Sequence, residues 1–452
     1  MTRAVSLTHL AASLVLSGLG AALGAPAFAQ SDAERIRALE QRLDASLKQI
    51  EKLTDRIAEL ERAASPTKAK PEGGAPAAAA EQSKALDTLR QDVDQISEGL
   101  SRNVSHTGVP LHGFADANAA WSSAADPRRL RGFGVGSLDL YLTPQFGSRV
   151  RSLMEIVFEY GPEGTGEFEA ERAQVGYTFN DELTLWAGRF HTPIGLWNTL
   201  YHHGANLQTS IYRPRFIEFE DRNGLLPTHS VGLWASGRIN LDLGKVNYDA
   251  YVSNGPTVRR RVLDFNGFTD DNSGKLFGLN LGLHPNGILR GLTAGVHAFG
   301  STVDTRGAAE TILARNRMRM AGGYFGYDAN GWEAIGEYYH FSNRDLAAGA
   351  HHASNAWFTQ LGYSWGSLLP YVRYERASLD PADTLFSTQQ VGRSYSRSSV
   401  GARYELDSKS ALKIEFGDST EAAATLFDEN GAAVAVPRAR YRRAAIEYSI
   451  AF

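Results

Sequence analysis

The sequence predicts an all-β fold, a 16-stranded antiparallel transmembrane β-barrel preceded by an N-terminal α-helical coiled coil. Three observations point there. From about His106 onward, apolar residues recur at every second position in about sixteen short segments. The connections between those segments alternate between short turns and long polar loops. Upstream of them, apolar residues recur every seven residues between charged neighbours.

Residues 1–29 read as an export signal. Arg3 supplies a charged start, Leu10 to Leu23 an apolar run, and Ala27-Phe28-Ala29 a small-residue cleavage site before Gln30, which places the cut after Ala29. The run falls short of the roughly 20 residues a membrane-spanning helix needs. No second long apolar stretch follows, so a helical membrane protein is excluded.

Residues 30–64 read as a coiled coil. Ile36, Leu43, Ile50 and Ile57 occupy one seam position and Leu39, Leu53 and Leu60 the other, with Ser46 interrupting the second set. A helix polar over most of its surface cannot bury such a stripe alone, so the pattern implies self-association, and its composition permits two strands. A monomeric surface helix packed on the main domain is the alternative. Residues 65–81, rich in Pro, Ala, Lys and Gly, have the composition of a flexible linker. Residues 82–104 resume the heptad as a second short helix through Leu86, Leu89, Val93, Ile96 and Leu100.

Residues 105–452 are assigned to the barrel. Leu412, Ile414 and Phe416 alternate with Lys413 and Glu415, and Val372 and Tyr374 with Tyr371, Arg373 and Glu375. Met154, Ile156 and Phe158 alternate with Glu155 and Glu159. Each segment therefore has one apolar and one charged face. A soluble sandwich shows the same alternation, so the loops decide. Strands are expected to begin near residues 111, 132, 149, 167, 182, 229, 244, 275, 288, 318, 331, 355, 369, 394, 409 and 438. Short turns fall at Pro144–Gly147, Asn180–Asp181, Asn240–Leu243, Pro285–Gly287, Asp328–Gly331, Gly366–Ser367 and Asp407–Ser408. Between them lie loops read as long: Ser122–Arg131, Gly161–Gly166, His191–Thr228, Gly255–Gly274, Gly300–Arg317, Ser342–Ser354, Leu379–Arg393 and Ser419–Pro437. Short turns on one rim and long loops on the other are the layout of an outer-membrane barrel. Tyr141, Tyr177, Trp186, Trp234, Tyr339, Trp365 and Tyr404 lie near segment ends, where aromatic girdles or ordinary cross-strand packing would place them. Ile446, Tyr448, Ile450 and Phe452 share a face, and the terminal aromatic Phe452 looks like the signal that delivers such barrels to their assembly machinery.

Composition narrows the chemistry. The 452 residues contain no cysteine, which excludes a disulfide scaffold, a zinc ribbon and a thiol nucleophile. A net charge of −4 leaves no basic footprint for nucleic acid. Sixteen strands enclose a space too wide for side chains to fill, so a water-filled diffusion path is expected, with selectivity set by its narrowest ring. The longest loop, His191 to Thr228, is too apolar for a solvated surface loop. Its charges, Arg213, Arg215, Glu218, Glu220, Asp221 and Arg222, are the candidate pore constriction, since opposed charges across a narrowing filter solutes by charge and dipole. Local pairing that pins the loop is the competing role for the same six. No cofactor and no metal is expected: the adjacent His202 and His203 point apart in an extended chain, and His351-His352 is a weaker pair. Only four lysines, Lys245, Lys275, Lys409 and Lys413, follow His106 while arginine is frequent, which makes anionic solutes a candidate class.

Signal peptide, heptad stalk, linker and sixteen-segment barrel together resemble the trimeric porins with an N-terminal periplasmic coiled coil, the phosphate-selective porin O and P family and the dicarboxylate-type porins. The segment Gly188-Arg189-Phe190-His191-Thr192-Pro193-Ile194-Gly195 is similar to that family's G-[RK]-x-x-x-P-x-G turn into the third loop. The resemblance implies a homotrimer, a third loop folded into the lumen, and a place in the outer membrane, in contact with its lipid, with the coiled coil in the periplasm. The sparse lysine is a departure that bears on phosphate selectivity. The expected function is passive diffusion of small hydrophilic, including anionic, solutes, without catalysis. A structural or docking barrel that sheaths an envelope partner is the alternative class. An outer-membrane hydrolase is a third, without a G-x-S-x-G element to support it.

Overall fold

Neighbouring side chains on a strand point to opposite faces, so alternation in sequence becomes a two-faced sheet. In the computed structural model, Ser410–Glu421 shows which face is which: Leu412, Ile414 and Phe416 are 37%, 54% and 44% exposed, while Lys413 and Glu415 are 0% and 3% exposed. A sheet folded for water has the reverse arrangement. A greasy exterior over a charged interior is what lipid demands of a spanning sheet. The structure describes residues 111–124, 132–160, 166–201, 205–219, 224–259, 262–265, 274–307, 311–386, 389, 392–427 and 433–452. The expected signal peptide, coiled coil, linker and second heptad helix lie outside the described residues.

Sixteen strands form the wall. They are β1 (Leu111–Ser122), β2 (Gly132–Leu142), β3 (Val150–Tyr160), β4 (Gly166–Asn180), β5 (Leu183–His191) and β6 (His229–Leu241). Next come β7 (Gly244–Asn254), β8 (Lys275–Pro285), β9 (Leu292–Arg306), β10 (Ile312–Ala329) and β11 (Trp332–Asp345). The last five are β12 (His351–Tyr363), β13 (Leu368–Ser378), β14 (Tyr395–Glu405), β15 (Ser410–Glu421) and β16 (Ala439–Ala451). Each pairs antiparallel with the next, and β16 returns to β1 from Phe114↔Ala451 to Ser122↔Arg443, which closes the barrel and leaves no open edge. The seam is finished by the chain end. Gly113 N donates to Phe452 O at 3.1 Å and Phe452 N to Gly113 O at 3.0 Å. The Phe452 ring lies where a Cβ on Gly113 would stand, 2.4 Å away, so this close approach requires glycine.

Most expected strand starts fall within two residues of the observed ones; the exceptions are instructive. β9 begins at Leu292, β10 at Ile312 and β12 at His351, against expected starts of 288, 318 and 355. β10 runs for 18 residues and β9 for 15, whereas roughly 9–11 suffice to cross a bilayer. The loops read as Gly300–Arg317 and Ser342–Ser354 therefore shrink to residues 307–311 and 346–350. These extensions break the apolar alternation, with Ile312 and Leu313 adjacent and Arg315, Asn316 and Arg317 following, so the pattern does not reveal them; ladder pairing and ion pairs such as Arg315 Nε to Asp304 Oδ1 (2.7 Å) hold them. Two segments read as loop also carry short hairpins, Thr257–Arg259 with Val262–Asp264 and Ala424–Phe427 with Ala433–Val436.

The aromatic assignments divide. Tyr177, Trp365 and Tyr404 are exposed on the outer surface at 40%, 69% and 48%, with Trp332 and Tyr363 packed edge to face beside Trp365. Tyr141, Trp186, Trp234 and Tyr339 instead face inward. Trp186 and Trp234 stack at 5.5 Å on the face opposite Leu185 and Leu233, and Tyr339 is buried against Glu337. Counting parity from the neighbouring leucines would have separated the two groups.

Candidate functional site

The charged face of β10–β16 and the segment after β5 form the site. Arginines and glutamates alternate with exposed apolar residues along the strands, and cross-strand register sets them side by side: Arg373↔Ser399, Glu375↔Arg397, Gly401↔Glu415 and Lys413↔Glu447. Arg373 contacts Glu415 (3.4 Å) and Glu375 (3.7 Å), Arg397 contacts Glu375 (3.4 Å), Arg443 contacts Glu415 (3.0 Å), and Lys413 Nζ contacts Glu447 (2.9 Å). Buried charges persist only when paired and hydrogen-bonded in this way.

The long segment leaves β5 at His191, which pairs in register with His229, the first residue of β6. Both imidazoles meet carboxylates of the inner face, His191 Nε2 at 3.1 Å from Glu155 Oε2 and His229 Nε2 at 2.5 Å from Glu171 Oε2. Asn198 Nδ2 donates to Thr192 O (2.9 Å) and Thr228 O (3.1 Å), tying the two ends of the segment together. Gly195 turns the chain at φ +63, a left-handed conformation that favours glycine, and a Cβ there would stand 2.2 Å from Glu337 Oε2. One helical turn, Trp197–Leu200, and one 3₁₀ turn, Arg215–Ile217, follow; neither is signalled by periodicity at so short a length.

From there the segment is held by side chains far away in sequence. Leu196 N and Trp197 N donate to Glu337 Oε1 at 2.9 and 2.5 Å, and Tyr339 Oη donates to Oε2 of the same carboxylate. Ile211 N and Tyr212 N each donate to Glu415 Oε2 at 3.2 Å, and Arg215 N donates to Glu375 Oε2 at 2.7 Å. In the other direction, Arg373 Nη1 donates to Tyr212 O (2.8 Å), Arg403 Nη1 to Asn206 O (2.5 Å), and Lys413 Nζ to Ala205 O. Trp197 is fully buried, edge to face with Phe358 at 5.6 Å, and Phe216 packs on Tyr339 and Phe341. Burial of each such side chain contributes about 1.5–3 kcal/mol. The segment's apolar composition thus has a physical cause: it is packed, not solvated.

Of the six charged candidates, Arg215 pairs with Glu421, and its guanidinium lies 5.1 Å over the Tyr395 ring. Arg213 lies 3.7 Å over the Phe219 ring. Both are 8% exposed. Glu218 is half-buried on the same segment, and its Oε1 accepts from Phe219 N at 3.3 Å. Glu220, Asp221 and Arg222 lie outside the described residues, as do His202 and His203. His351 Nε2 lies 2.8 Å from Ser342 Oγ and His352 Nδ1 2.8 Å from Asp380 Oδ2. No group of three metal-ligating side chains stands together among the described residues. Sequence reasoning missed the partners, Glu337, Glu375, Arg403, Glu415 and Glu421. Their only signal is a charge at an inward position of an otherwise apolar alternation, and that pattern does not say what the charge will meet.

No protein-family model matches the chain, and no curated protein sequence matches it. Solved structures do. An anion-selective porin from Comamonas acidovorans superposes with a TM-score of 0.52 at 14% identity, over 76% of this chain and 99% of that one. OmpT, an outer membrane protein of Vibrio cholerae in its trimer form, covers 76% and 99% at 12% identity with a TM-score of 0.49. The outer membrane channel DcaP of Acinetobacter baumannii covers 76% and 97% at 10% identity with a TM-score of 0.45. At such identities the likeness is one of fold: residues 111–452 build a closed, porin-like β-barrel.

Proposed function

We propose that this chain is an outer-membrane channel for passive diffusion of small hydrophilic solutes, with no catalytic role, narrowed by the segment between β5 and β6. The observation that carries the reading is the attachment of residues 194–217 to inner-face carboxylates Glu337, Glu375 and Glu415 inside a wall whose outer face is apolar. Such a strap leaves a water path beside it while reducing the cross-section that sixteen strands would enclose.

In the same reading residues 1–29 are removed on export, 30–64 form a periplasmic coiled coil, 65–81 a linker, and 82–104 a second short helix before the barrel of 105–452. The chain acts as a homotrimer, and Phe452 serves the assembly machinery. Anionic solutes are the favoured class, as for the anion-selective Comamonas porin of similar fold, and Arg213 and Arg215 would support it beside Glu218, Glu220, Asp221 and Arg222. Planar-bilayer recording tests it: wild type passes stepwise single-channel current, and Arg215→Ala, which strips Glu421 of one of its two arginines, lowers relative anion permeability under a salt gradient. An insertion-competent barrel that passes no current would end the channel reading. An unchanged reversal potential would remove Arg215 from the filter.

A further inference from the structure

The outer surface of β9–β11 carries an unneutralised basic patch at the level where a lipid headgroup would lie. On β10, Arg315, Arg317 and Arg319 are exposed and alternate with buried Asn316, Met318 and Met320, so all three guanidinium groups share the outward face with Phe325 and Tyr327. On β11, the exposed Arg344 stands directly opposite Arg317 in the ladder. Like charges opposed across a ladder repel, and elsewhere the fold pairs several of its outward arginines. Arg315 is paired with Asp304 at 2.7 Å, and Arg440 and Arg442 share Asp418 at 2.8 and 3.5 Å. Arg317, Arg319 and Arg344 make no ion pair or side-chain hydrogen bond among the described residues.

Height fixes what can reach them. From Tyr327 at the short-turn rim to Arg319 is eight residues, about 26 Å along the strand, or about 20 Å along the membrane normal at a tilt of about 40°. Arg317 and Arg344 lie about 5 Å higher. An outward apolar band is about 25 Å tall, so these arginines stand at its upper edge on the long-loop side, above the apolar Phe325 and Trp357. Arginine's planar fork matches phosphate oxygens in two-point contact.

We infer that Arg317, Arg319 and Arg344 form a binding site on the outer wall for the phosphate groups of outer-leaflet lipid. The orientation rests on the outer-membrane reading above, since only there does the long-loop side face the outer leaflet. The site makes the unusual length of β10 intelligible: its upper end brings the basic groups to the hydrocarbon edge, from which long arginine side chains reach headgroup territory.

The test uses the full chain, refolded in detergent, titrated with a bis-phosphorylated glucosamine-based lipid and with the same lipid dephosphorylated, bound lipid being counted by native mass spectrometry. Wild type retains the phosphorylated form. Arg317→Ala/Arg319→Ala and, separately, Arg344→Ala weaken it, the double variant by about tenfold or more, while Arg440→Ala, whose charge is already matched, leaves binding unchanged. Heat-modifiable gel mobility and bilayer current, both expected to stay at wild-type levels, show that the variants fold. Equal retention by wild type and the double variant, or equal retention of the dephosphorylated lipid, overturns the site. So does full competition by millimolar inorganic phosphate, which would make it a free-anion site. Selective lipid retention by a chain that passes no current would support this site while striking the channel reading alone.

Discussion

Removing the Glu337 carboxylate should detach the inner strap without unfolding the wall. Glu337 is 3% exposed and accepts from Leu196 N, Trp197 N and Tyr339 Oη. In Glu337→Ala the buried Trp197 donor and the part-buried Leu196 donor lose a charged acceptor, each bond worth roughly 1.5–3 kcal/mol. Water entering the space from the lumen recovers part of that, which leaves about 3 kcal/mol. At 1.4 kcal/mol per decade the detached population of the strap rises about a hundredfold. The ladder pairs of β10, β11 and β12 keep their backbone bonds, so the barrel's heat-modifiable mobility should shift little. Current noise and proteolytic nicking between residues 194 and 217 should rise together. Glu337→Gln, which keeps one acceptor oxygen, should fall between. Gly195→Ala, which places a methyl 2.2 Å from Glu337 Oε2 at a φ of +63, should reproduce the alanine variant from the other side of the contact. If Glu337→Ala shows wild-type noise and wild-type protease resistance, these hydrogen bonds do not hold the strap and the account of its anchoring is wrong.

Two other outcomes follow from particular contacts. Deleting Phe452 removes two backbone hydrogen bonds to Gly113 at the closing seam and should cost about 2 kcal/mol. Refolding yield, read as the compact species on unheated gels, should drop, and an unchanged yield would place closure elsewhere. In the loop 379–394, the backbone N–H of Ala382 and the ring of His352 hold the Asp380 carboxyl below its ordinary value of 3.8. A lowered folded value means the contribution is present at neutral pH and is lost as pH falls through and below that value. Hydrogen exchange at Asp380 to Asp383 should accelerate only under that acidic condition, and a change between pH 6 and 8 would show that the Asp380 carboxyl does not hold the loop.

Much of the wall was legible because its cause is local. An apolar side chain at every second position, as in Leu412, Ile414 and Phe416, can serve only a strand with one greasy face, and short and long connections in alternation assign its ends to two rims. Length was less legible where the strand leaves lipid: at Ile312–Arg319 neither face needs to be apolar, so sequence reads loop while hydrogen bonding continues the ladder. Girdle aromatics were half-legible, since Trp186 and Trp234 sit near segment ends as expected but on the inward parity.

The sequence by itself determined that the last three-quarters of the chain alternates into sixteen strands, and it singled out residues 191–228 as too apolar to be a solvated loop. Tertiary structure decided what that segment meets. Its amides meet Glu337, Glu375 and Glu415, carboxylates 140 to 204 residues further along the chain. Its Arg215 meets Glu421, 206 residues further along the chain. The reason is physical: periodicity reports the face a side chain takes, but closing a cylinder brings together residues whose separation in sequence carries no pattern, and only the register of all sixteen strands sets which charges come within reach.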